Sequence, residues 1–66
     1  MNAPDVLVTD EGTIFCFTPL TSKAKQWFRE NVETEPWQWL GATCVVQHSL
    51  ALGLAVRIKD AVLELR

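Results

Sequence analysis

The chain has 66 residues, 48% of them hydrophobic, and a net charge of −2 from eight acids against six bases. That length fits a single domain over residues 1–66, and the apolar content is too high for a disordered chain. The slight acidity argues against non-specific nucleic-acid binding, which needs a cationic surface to release counterions.

A domain this short buries only about 60% of the surface its unfolded chain exposes. Some apolar surface is therefore expected to stay exposed or to be covered by a partner. Two cysteines, Cys16 and Cys44, and an N-terminus MNAPDVLV without a basic region before an apolar core lead to the expectation of a cytoplasmic protein with reduced thiols. The apolar stretch from Leu40 to Val56 carries Gln47, His48 and Ser49 at its centre. It is too short and too polar there to span a membrane.

Residues 1–4 read as a frayed end. Val6, Leu7 and Val8 form a short strand, and Asp10-Glu11-Gly12 is a turn in which Gly12 takes positive φ. Thr13 to Thr18 is a second strand. Ile14 and Cys16 point to one face and Phe15 and Phe17 to the other, so both faces are apolar. A hairpin joins the two strands. Pro19 ends the second strand because it lacks a ladder donor. Thr21 or Ser22 then caps a helix running to Glu33. Its inner stripe is Ala24, Trp27, Phe28 and Val32. Lys25 and Arg29, four apart, form a small basic ridge that reads as solvated.

Pro36 disfavours helix at Glu35 and marks the next boundary. The chain is organised around Trp39 to Val56, which starts as a buried strand over Trp39 to Val46 and turns into a helix over Ser49 to Lys59. Gly41 reads as a bulge or a close approach. Trp39 caps the core, whereas Trp37 is either a cap or an exposed anchor. The second helix carries a stripe of Leu50, Leu54, Ile58 and Ala61, with Leu52 and Val56 on another side beside Ser49 and Lys59. A helix apolar around most of its circumference is normally buried on more than one side, and this chain has too little other material for that. Scattered surface apolars are the competing reading. Val62 to Leu65 reads as a last strand. The expected fold is α+β: a two-layer sandwich in the order ββαβαβ. It has a four-stranded mixed sheet, right-handed crossovers and both helices on one face.

Little in the sequence speaks for catalysis. His48 lies four residues after Cys44, but the chain turns between them, and free cysteine is usually a small buried hydrophobe. Two cysteines and one histidine do not complete a structural zinc site. An enzyme and a cofactor are not expected. His48 is expected to supply a hydrogen bond at the strand-to-helix junction.

The segments EGTIFCFTPLTSKAKQWFRENV and WQWLGATCVVQH resemble a group of small bacterial and prophage proteins. The group's pattern is a Gly-Ser/Thr-Ile strand, a Pro-x-Thr cap, a helix with Trp and Glu-Asn, a Trp-x-Gly turn and a strand ending Val-Val-x-His or similar, met here by Gly-Thr-Ile, Pro-Leu-Thr, Trp and Glu-Asn-Val, Trp-Leu-Gly and Val-Val-Gln-His. It covers roughly Glu11 to Leu65. The chain departs from it at Ser49-Leu50, where the pattern has Arg-Tyr, and at Ala61, where it favours Gly. The resemblance implies a setting of phages and mobile elements, in which short non-catalytic proteins act as inhibitors of host defence complexes, as anti-CRISPR proteins do.

The expected function is a non-enzymatic protein-binding module, an inhibitor of that type. Trp37, Leu52 and Val56 supply contact area, and Glu30, Glu33 and Glu35 steer toward a basic host protein or complex, nucleic-acid-binding proteins among the candidates. The alternative is a homodimeric, antitoxin-like regulatory component. Neither a membrane nor direct nucleic-acid contact is expected.

Overall fold

The computed structural model describes residues 4–61, 63 and 65. The expected frayed end therefore lies outside the described residues except for Pro4, and so do Val62 and Glu64 of the expected last strand. The described residues form four strands and two helices in chain order: β1 (Val6–Asp10), β2 (Ile14–Pro19), α1 (Ser22–Asn31), β3 (Trp39–Leu40), β4 (Thr43–Gln47) and α2 (His48–Asp60). A 3-10 turn, Pro36–Gln38, leads into β3.

β1 and β2 form the expected hairpin, with Val8 opposite Phe17 and Asp10 opposite Phe15. Gly12 sits in its loop at φ 89° and donates its N–H to Asp10 Oδ1 at 2.8 Å. Thr21 supplies the cap of α1: its Oγ1 accepts from Ala24 N–H at 3.1 Å and donates to Asp5 Oδ1 at 2.8 Å. The helix ends at Asn31, two residues short of the expected Glu33, because Val32 takes an extended backbone at φ −115° and ψ 115°.

The expected single strand over Trp39 to Val46 is instead two strands. Gly41 and Ala42 form a two-residue loop between Leu40 and Thr43, which pair directly. Gly41 adopts φ 64°, the conformation such a loop asks of its first residue. Gly41 is thus a reversal point rather than a bulge. The extra reversal also corrects the topology. It turns β4 antiparallel to β2, with Phe17 opposite Cys44 and Ile14 opposite Gln47. The sheet order is β1-β2-β4-β3 and every paired strand is antiparallel. Among the described residues, the mixed four-stranded sheet of the ββαβαβ reading is not formed. Parallel pairing among the described residues is limited to a single bridge between Val6 and Leu65.

The registers place Val6, Val8, Phe15, Phe17, Cys44 and Val46 on one sheet face. Both helices bury residues there: Ala24 and Phe28 from α1, and Ala51, Leu54 and Ile58 from α2. Leu50, expected in the stripe, is exposed. Positions 50, 54 and 58 step by four and drift around a helix of 3.6 residues per turn, whereas 51, 54 and 58 stay nearer one line. Trp39 closes the core edge-on to Phe28 at 6.1 Å and donates Nε1–H to Thr34 Oγ1 at 2.8 Å. Arg57 joins the two helices. Its guanidinium lies 5.7 Å from the Trp27 ring centre and donates to the Asn31 carbonyl, a free acceptor at the end of α1.

The opposite face carries Leu7, Ile14, Cys16, Thr18, Thr43 and Val45. Most of these are half-buried and Leu7 is exposed. Thr18 and Thr43 share a hydrogen bond of 2.9 Å across it. An antiparallel sheet tolerates one open face, so β4 need not be buried on both sides.

Candidate contact surfaces

α2 turns one side to the core and the other outward. Leu52 and Val56 lie four apart on the outward side and are 76% and 50% exposed. Residues four apart on a helix are neighbours, so the two make one apolar ridge. Ser49, Gly53 and Asp60 flank it and are exposed.

The flank of α2 that faces the β1–β2 hairpin carries two small residues, Ala51 and Ala55. They leave a groove of about 350 Å³ between helix and sheet. Val8, Phe15 and Phe17 form its floor, and Leu52 lies on its edge, which joins groove and ridge. Phe17 is buried, but Val8, Phe15 and Ala55 are only half-buried. The ring of His48 tilts over Phe15 with centres 5.2 Å apart. The junction hydrogen bond comes from the backbone of His48, which donates to the Thr13 carbonyl at 3.1 Å.

A second cleft, of about 1000 Å³, opens between α1 and the β3–β4 hairpin. Lys25 and Arg29 face it from α1, and Glu33 and Glu35 from the loop. Two bases and two acids balance there, so the expected basic ridge shares one site with two of the three expected acids, Glu33 and Glu35. The Glu35 N–H donates to Gln38 Oε1 at 2.7 Å, which anchors the 3-10 turn. Trp37 projects from that turn, 70% exposed. Glu30 stands on the exposed side of α1 and accepts from Gln26 Nε2 at 3.2 Å.

The expected contact residues thus fall into separate places. Leu52 and Val56 belong to α2 and the groove beside β1. Glu33 and Glu35 lie at the β3 end of the sheet with Trp37, and Glu30 on α1. No described cavity is lined by both Trp37 and Leu52.

The thiols are separated as well. Cys16 is opposite Val45, while its neighbour Phe17 is opposite Cys44, so the two side chains project from opposite sheet faces. Burial pushes the Cys44 thiol pKa up, and the nearby Cys16 adds to the shift. Among the described residues, no three His, Cys, Asp or Glu side chains gather as metal ligands. No helix there is long and apolar enough to cross a membrane.

Sequence reasoning missed the groove, although its signals were present. Phe15 and Phe17 were visible as one apolar face, and Ala51 and Ala55 stand in the sequence as two small residues four apart. Their meeting depends on β1 standing at the sheet edge, which no local pattern encodes. No family model, curated protein or solved structure matches the chain. The fold and surfaces define a small α+β domain with a four-stranded antiparallel sheet and an apolar ridge left outside its core.

Proposed function

We propose that this protein is a non-enzymatic module that works by binding another protein through the outward side of α2. The observation that carries this reading is the Leu52–Val56 ridge, exposed beside an apolar groove in a chain whose core is already filled by other residues. Such a patch offers a partner area that is readily desolvated, with polar residues at its rim. Trp37 supplies a second anchor at the far end of the sheet, and Glu30, Glu33 and Glu35 act on the encounter rather than on the docked area. A host protein as partner follows from the resemblance to prophage proteins alone.

The test is affinity capture from host lysate with wild type, Leu52→Asp/Val56→Asp, and Thr9→Lys on the open sheet face as a control. Wild type and Thr9→Lys are expected to retain a protein that the α2 variant loses, with all three folded by circular dichroism. Equal retention by all three would overturn the assignment to α2. Sedimentation of the purified protein identifies the partner as a second copy if wild type dimerises and the α2 variant does not.

A further inference from the structure

We propose that the groove between α2 and the β1–β2 hairpin binds a small amphiphilic carboxylate, its apolar chain along Phe15 and Ala55 and its carboxylate at Lys59. This site does not rest on the protein-binding role of the outer ridge. Its volume of about 350 Å³ falls at the lower end of the range of small-molecule sites, which are mostly apolar with few polar groups. Val8, Phe15 and Ala55 pack against the core yet stay half-buried, so the groove is apolar surface that the fold itself leaves uncovered.

Charge decides which class of ligand fits. Lys59, in the last turn of α2, lines the groove, and His48, in the first turn, lines it as well. The Lys59 side chain makes no hydrogen bond or ion pair with any described residue, and no described carboxylate lines the groove. A lone ammonium beside apolar walls favours an anion whose remainder is apolar. A single lysine matches a singly charged head. A neutral chain would forgo the ion pair, and a cationic amphiphile would be repelled. The apolar floor gives the tail its binding energy and Lys59 fixes its direction.

The experiment is an amide NMR titration of the full chain with decanoate, decan-1-ol and decyltrimethylammonium. Decanoate is expected to shift the amides of Val8, Phe15, Ala51 and Ala55 saturably, with the other two binding more weakly. Lys59→Glu is expected to weaken decanoate by about tenfold, the scale of one charge-assisted hydrogen bond, and to leave decanol unchanged. Ala55→Phe fills the groove and should abolish binding of all three. If that variant does not fold, the comparison of wild type with Lys59→Glu carries the test. No saturable shift at the groove amides, shifts centred on Leu7 and Val45 instead, or undiminished decanoate binding by Lys59→Glu would each overturn the proposal. Equal binding of decanoate and decanol by wild type would overturn the carboxylate assignment.

Discussion

Gly41 has more influence on the fold than its size suggests. Its positive φ reverses the chain between β3 and β4, and a β-carbon there would meet no atom within 4 Å. The cost of a side chain is therefore conformational alone. Gly41→Ala is expected to destabilise by about 1 kcal/mol, the penalty of a left-handed backbone for an L residue. Urea denaturation should show a lower midpoint with an unchanged slope. Cys44 makes a second prediction at this scale. Its thiol is fully buried, and burial holds its folded pKa above the ordinary thiol value. The unfolded thiol loses its proton first as pH rises. Stability is thus fully present below the unfolded pKa and falls as pH climbs from there through the folded value. The wild type should lose this increment above about pH 8.5, and Cys44→Ala should not. Under native conditions alkylation should reach half-buried Cys16 well before Cys44.

The two sides of α2 separate stability from contact. Ile58 is fully buried, whereas Leu52 is exposed. Ile58→Ala is expected to cost about 2–5 kcal/mol, and Leu52→Asp about 0.5 kcal/mol or less. A large loss from Leu52→Asp would mean that the ridge is part of the fold. Both helices, the first hairpin and the Thr21 cap were legible in the sequence, because hydrophobic period and capping chemistry are local. The β3–β4 hairpin was not. Trp39, Leu40, Thr43, Cys44, Val45 and Val46 are all strand formers, and the two-residue reversal between them was hidden in an apolar run. From that one turn the errors in strand direction and sheet type follow. The exposure of Leu52 and Val56 could be anticipated, because the chain has too little material to cover them. The groove could not, since it arises from strand order.

At the scale of the molecule, 66 residues imply a net stability of roughly 3–10 kcal/mol. One sheet face is spent on the shared core of both helices, and the other stays open. Exposed large apolar residues stand at the ridge of α2, at Trp37 and Leu40 near the β3 end, and at Leu7 and Leu20 near the β1–β2 ribbon. A chain this small could hide more of this surface only by giving up core contacts, so the ridge is the strongest candidate for work done by contact. The most direct measurement places a photo-crosslinking residue at position 52 or 56, and at exposed Lys23 on α1 as a control, in the protein's native cell. Positions 52 and 56 should each give the same discrete adduct and position 23 none. An adduct from position 23 alone, or no adduct from position 52 or 56, would contradict the assignment of the contact to α2.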